Sequence, residues 1–152
     1  MNPRRSQRVN IHGADPIEQA PIVLLVDDEV AVRDVLSWVI QGAGFTPVTA
    51  AGPEGFEILS KHAEHVALVI LDLSMHDMDG FRFRELQRAQ PRLADIPTII
   101  MSGRPVLQEE KTLLQANEYI WKPARISELR SLITEHARPI PATHPRRVAQ
   151  SA

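Results

Sequence analysis

Short apolar runs recur along this 152-residue chain, and each stops at a particular polar residue. Ile22-Val23-Leu24-Leu25-Val26 stops at Asp27-Asp28, and Val66-Ala67-Leu68-Val69-Ile70-Leu71 stops at Asp72. Ile99-Ile100-Met101 stops at Ser102, and Tyr119-Ile120-Trp121 stops at Lys122. Between them lie stretches whose apolar residues repeat with helical spacing. The alternation predicts strands over about 22–27, 45–49, 66–71, 97–101 and 118–121, and helices over about 29–42, 53–62, 81–90, 106–116 and 125–137. Strands alternating with helices point to βα units and a parallel sheet. Three runs are almost continuously apolar, as expected of central strands covered on both faces. Pro47 falls inside the second strand and marks it as an edge, because proline cannot donate to the ladder.

Residues 1–20 carry Arg4, Arg5 and Arg8 without a periodic apolar face and read as a flexible arm. From Arg138 the chain is broken by Pro139, Pro141 and Pro145 and reads as a disordered tail over 138–152. The expectation is one domain over 21–137 with no output domain after it. Net charge of −2 argues against general nucleic-acid binding, and the absence of cysteine excludes disulfides and thiolate zinc sites. No apolar stretch reaches the roughly 20 residues of a membrane span, and no signal core follows Met1. A soluble, cytoplasmic protein is expected.

In an open parallel sheet, ligands sit beyond the carboxyl ends of the strands. The pattern therefore gathers three carboxylates, a hydroxyl and an ammonium at one sheet edge. Two carboxylates about 4 Å apart repel by roughly 4 kcal/mol at an effective dielectric near 20. Three would raise one another's pKa unless a cation neutralised them. Mg²⁺ does this with one or two carboxylates while keeping water and phosphate oxygens as further ligands. Charge on a transferring phosphoryl group would then be met by the metal, the ammonium and the hydroxyl.

From Ile22 to Ala137 the chain resembles the receiver domain of bacterial response regulators. The resemblance is carried by Asp27-Asp28, by Asp72-Leu73-Ser74-Met75-His76-Asp77-Met78-Asp79-Gly80, by Ser102-Gly103 and by Tyr119-Ile120-Trp121-Lys122-Pro123. It implies a flavodoxin-like, doubly wound five-stranded parallel sheet of order 2-1-3-4-5 with five helices. It implies that Asp72 is the phosphoacceptor. Asp28, Asp72 and the main-chain carbonyl of Ser74 would hold Mg²⁺, with Asp27 acting through water. Lys122 and Ser102 would each meet a phosphoryl oxygen, and Tyr119 would turn inward when that hydroxyl moves. Ser74 and Arg104 stand where the family varies and tunes phosphoryl lifetime.

The implied partners are a histidine kinase or histidine phosphotransfer protein and a downstream target, with neither nucleic acid nor membrane bound directly. The state would be a monomer or a phosphorylation-dependent dimer. The protein would be no classical enzyme, catalysing only its own phosphorylation and dephosphorylation in a two-component phosphorelay. Two rival functions share parts of this pattern. Haloacid-dehalogenase-type phosphatases use similar groups, but their nucleophile ends the first strand in Asp-x-Asp and their acid pair comes late; here the order is reversed. The other rival is a receiver-fold adaptor that binds a partner without phosphorylation.

Two departures from the family pattern stand out. His76 occupies a position usually held by proline and reads as a loop histidine without a chemical role. Gln115-Ala116-Asn117-Glu118 replaces the usual glycine-alanine, and Asn117 is expected to supply the left-handed residue that ends the helix. Arg82, Arg84, Arg88 and Arg92, interleaved with Glu85 and Gln87, read as a solvated face. His62 and His65 lack a third metal ligand and read as a solvated helix end, while Arg146 and Arg147 could touch an acidic partner. On the first helix, Val32, Val35, Leu36, Val39 and Ile40 form the stripe expected to pack on the sheet. Trp38 lies about 130° away, at 3.6 residues per turn. It is either tucked against a neighbouring helix or a docking residue for the helical bundle that carries the phosphohistidine.

Overall fold

The computed structural model describes residues 21–141, so the expected arm and Arg146 and Arg147 lie outside the described residues. Five parallel strands form one sheet: β1 (Ile22–Val26), β2 (Thr46–Ala50), β3 (Val66–Asp72), β4 (Thr98–Ser102) and β5 (Glu118–Trp121), in the order β2-β1-β3-β4-β5. The helices are α1 (Val30–Gly42), α2 (Pro53–Lys61), α3 (Gly80–Ala89), α4 (Pro91–Ala94), α5 (Gln108–Leu114) and α6 (Ile126–His136). This is the flavodoxin-like fold expected, with one helix more than the five anticipated. The addition is the single turn α4, begun by Pro91, whose missing N–H costs nothing at a first helical position.

Side chains alternate across the sheet. Leu24, Val26, Val69 and Leu71 face the layer of α2, α3 and α5, where Phe83 and Leu59 are fully buried. Val23, Leu25, Leu68 and Ile70 face the α1–α6 layer, meeting Val39, Ile40, Leu129 and Ile133. Every residue of β1, β3 and β4 is buried, as their unbroken apolar runs anticipated. Pro47 lies in β2, which is indeed an edge strand.

Four sequence expectations need correction. Val35 is 55% exposed, so the α1 stripe that packs on the sheet is narrower and centres on Leu36, Val39 and Ile40. Trp38 is 80% exposed and is not tucked against a neighbour; it borders a groove between α1 and α6. Arg84 is buried rather than solvated, because its guanidinium finds backbone oxygens at the end of α5. The left-handed residue after α5 is Gln115 (φ 45°), not Asn117. Asn117 instead extends the β4–β5 pairing: its N–H donates to Thr98 O, and its side-chain oxygen accepts from Thr98 N–H at 2.9 Å each. Arg138, at the start of the expected tail, donates its N–H to Ala67 O and its guanidinium to Val66 O and Ala63 O.

Candidate phosphoacceptor site

Register brings the strand ends level. Val26 pairs with Leu71, Asp72 with Met101, and Ser102 with Trp121. Past the last pairs, Leu73 N–H donates to Met101 O and Lys122 N–H to Ser102 O. The polar residues that stop the apolar runs therefore emerge together at the carboxyl edge. Asp27, Asp28 and Asp72 each offer a carboxylate oxygen, and the three oxygens lie within 4.8 Å of one another. Asp27 and Asp72 are buried, while Asp28 is half-buried at the rim. Lys122, joined to Pro123 by a cis peptide bond, reaches into this cluster. Its Nζ lies 2.7 Å from Asp27 Oδ2, 3.4 Å from Asp72 Oδ2 and 3.5 Å from Glu29 Oε1.

Local hydrogen bonds hold each acid. Asp27 Oδ1 accepts from Glu29 N–H at 2.9 Å, and Arg33 Nη1 donates to the Asp27 carbonyl at 2.7 Å. Asp72 Oδ1 accepts from Ser74 N–H at 3.1 Å, which folds the exposed Ser74 back over the strand end. Asp79 caps α3 by accepting Phe81 N–H at 2.8 Å. Gly80 N–H donates to Leu73 O, and a Cβ on Gly80 would stand 2.5 Å from Asp72 O and 2.7 Å from Leu73 Cα. Only glycine lets α3 begin so close to the Asp72 backbone.

The charges follow from these contacts. Burial pushes the Asp72 carboxyl up, and neighbouring Asp27 adds to this, against the lowering pull of Ser74 N–H and Lys122. For Lys122, burial works against the charge, but bonding to Asp27 and the field of both acids outweigh it and raise its pKa. An all-oxygen set that repels itself and has drawn in a lysine fits a hard divalent cation such as Mg²⁺.

His76, expected to be a loop histidine without a chemical role, contacts Asp28. Its ring Nδ1 lies 2.5 Å from Asp28 Oδ2, and its N–H donates to the same oxygen at 3.1 Å. The histidine hydrogen bond lowers the Asp28 pKa, and the carboxylate in turn raises that of His76. The adjacency of β1 and β3 was the available signal, since it sets the loops after the two strands side by side. Ser102 is buried, and its Oγ accepts Arg104 N–H at 3.2 Å. Arg104 points its guanidinium at Glu110, 2.6 and 2.9 Å away, rather than at the acids. Tyr119 O–H donates to Lys111 O at 3.2 Å and accepts from Ala116 N–H at 3.0 Å. His62 and His65 join no metal-ligating cluster among the described residues.

Comparison with known proteins agrees with this geometry. The family model for the response regulator receiver domain matches residues 23–134. A probable chemotaxis protein CheY of Rhizobium etli is 34% identical over 115 residues, covering 73% of this chain and 88% of that protein. The two-component response regulator ORR5 of Oryza sativa subsp. japonica is 32% identical over 117 residues, covering 74% and 86%. Against the probable transcriptional regulator ycf27 of Cyanophora paradoxa, 33% identical, the chain spans only 46% of the relative's length. Among solved structures, the Vibrio cholerae chemotaxis protein CheY4 superposes with a TM-score of 0.69 at 26% identity, over 76% of this chain and 97% of that one. A response regulator receiver protein from Pseudomonas putida gives 0.68 at 27% identity, over 76% and 96%. The order of the strands, the acids gathered at their carboxyl edge and the match over 23–134 agree: this chain belongs to the response regulator receiver domains.

Proposed function

We propose that the chain accepts a phosphoryl group on Asp72 from a phosphohistidine of a sensor kinase or phosphotransfer protein, and that the modified form switches binding to a downstream protein. The observation that carries this reading is the cluster itself: three carboxylate oxygens within 4.8 Å, with the Lys122 ammonium touching two of the acids. In the transfer, the phosphorus–nitrogen bond of the donor breaks as a carboxylate oxygen of Asp72 bonds to phosphorus, and the imidazole leaves with the electron pair. Asp28, Asp72 and the Ser74 carbonyl would hold Mg²⁺, with Asp27 acting through water. When bound, Mg²⁺ supplies neutralisation of the acids and of the charge spread over the phosphoryl oxygens. Lys122 would exchange its Asp72 contact for a phosphoryl oxygen, and Ser102 Oγ would donate to another. Tyr119 is the candidate relay between that hydroxyl and α5. The exposed Trp38 is the proposed contact with the donor protein, beside Val35 and Ile126.

The test is incubation with Mg²⁺ and acetyl phosphate, followed by intact mass. The native chain should gain one phosphoryl group, and Asp72→Asn should gain none. A native chain that stays unmodified under these conditions would overturn the reading in favour of the phosphorylation-independent adaptor.

A further inference from the structure

The loop after β3 is pinned at its middle as well as at its ends. At the ends, Ser74 N–H donates to Asp72 Oδ1 and Gly80 N–H to Leu73 O. In the middle, two nitrogens of one residue converge on a single oxygen. His76 Nδ1 lies 2.5 Å from Asp28 Oδ2, and His76 N–H donates to the same atom at 3.1 Å. A proline at this position would offer neither a ring nitrogen nor an N–H, so both contacts belong to this chain's own sequence.

The three acids are thus partnered from two sides, Asp27 and Asp72 by Lys122 and Asp28 by His76. The two partners differ in what they can give a metal. An ammonium only donates, whereas an imidazole nitrogen that gives up its proton is a ligand. Two ligand atoms about 2.1 Å from one ion and at right angles stand about 3 Å apart, so the Nδ1–Oδ2 pair needs to open by only about 0.5 Å to seat an ion. The histidine side chain is 93% exposed and free to make that movement. Asp28 stands at the rim, and its carboxylate belongs to the same cluster as the buried Asp27 and Asp72.

We propose that His76 is a nitrogen ligand of the cation site and tilts it toward a first-row transition-metal dication such as Co²⁺ or Zn²⁺. The ion would take the place of the proton shared by Nδ1 and Oδ2, which passes to solvent. Hard Mg²⁺ keeps to oxygen and gains little from an imidazole, whereas Co²⁺ and Zn²⁺ gain much. An all-oxygen cluster also ranks those ions above Mg²⁺, so the mark of His76 is the share of the preference that goes when the ring goes. The ligand rests on the cation-site reading above; it does not depend on phosphorylation.

Calorimetric titration of the full chain with Co²⁺ and, separately, with Mg²⁺ tests this. His76 is exposed, so its variants should fold. His76→Ala should weaken Co²⁺ binding about tenfold or more and change Mg²⁺ binding by less than about threefold. His76→Asn separates ligation from positioning, because its amide can still donate to Asp28 but is no imidazole. It should bind Co²⁺ as weakly as His76→Ala does. Native Co²⁺ affinity in His76→Asn, or equal losses for both ions in His76→Ala, would overturn the ligand and leave His76 only positioning Asp28. Bound Co²⁺ should also shift the ring C–H proton resonances of one histidine, and both His76→Ala and Asp28→Ala should lose that signal. A shifted histidine that survives in His76→Ala would overturn the ligand by placing the ion at another imidazole. A native chain that binds neither ion would overturn the cation site itself; one that binds Mg²⁺ but whose Co²⁺ affinity ignores His76 would overturn the ligand alone.

Discussion

The Lys122 ammonium lies 2.7 Å from Asp27 Oδ2, bridging the last strand to the first across the carboxyl edge of the sheet. It does there what a divalent cation would do, and it does so with a side chain only 17% exposed.

Removing that ammonium should destabilise the metal-free protein. Lys122→Ala leaves Asp27 and Asp72 buried without their cation, and breaking a buried pair costs about 3–5 kcal/mol. Saturating Mg²⁺ should recover most of the loss, and Mg²⁺ affinity should stay the same or tighten because Asp27 has been freed. Denaturant midpoints with and without Mg²⁺ check this. A tenfold weaker affinity would make Lys122 part of the metal site.

Mg²⁺ should stabilise the native chain by relieving repulsion among Asp27, Asp28 and Asp72. At 100 times its Kd the gain is about 2.7 kcal/mol by mass action. Thermal melts should show the gain in the native chain and little of it in Asp28→Ala.

Gly80→Ala should weaken the fold and slow phosphorylation together. The added methyl meets Asp72 O and Leu73 Cα, which are backbone atoms and cannot swing away. Overpacking of this kind costs about 1–3 kcal/mol. A variant with native stability and native acetyl phosphate kinetics would mean that α3 can shift freely at this point.

The Arg104 guanidinium holds the Glu110 carboxyl down at about 2, with Leu107 N–H adding to the effect. A carboxylate depressed below its ordinary value favours folding above that ordinary value. The benefit disappears as pH falls from about 4.5 toward 2. The stability difference between the native chain and Glu110→Gln should therefore be largest above pH 5 and shrink toward pH 2.5, as urea melts across that range would reveal.

Trp38→Ala should slow transfer from a phosphohistidine-bearing protein while leaving acetyl phosphate labelling unchanged. Because Trp38 is 80% exposed, the change in stability should stay within about 0.5 kcal/mol. Equal slowing with both donors would mean that Trp38 supports the fold instead.

Where burial alone decides structure, the sequence was legible. Unbroken apolar runs marked the three inner strands, Pro47 marked an edge, and the residues closing the runs marked where Asp27, Asp28, Asp72 and Lys122 come together. What escaped depends on partners that no local pattern announces. Arg84 looked solvated beside Glu85 and Gln87, yet the open carbonyls of Leu114 and Gln115, thirty residues on, made burial possible. Gln115 takes the left-handed position because α5 already ends at Leu114, two residues before the asparagine that pairs with Thr98. His76 seemed idle until the β1 and β3 loops were brought together.

The exposure of both tryptophans, Trp38 at 80% and Trp121 at 64%, bears on how this molecule can be watched. Neither indole leaves a dry core on unfolding, so intrinsic emission will be a poor thermometer of the fold, which is better followed by circular dichroism. The same property makes the two rings useful optical probes of the native state. Trp121, hydrogen-bonded to Gly103 O, sits where loop rearrangement would alter its surroundings, and Trp38 reports from the α1–α6 groove. Replacing one at a time would give two single-tryptophan reporters, one for the loop after β4 and one for whatever settles on α1.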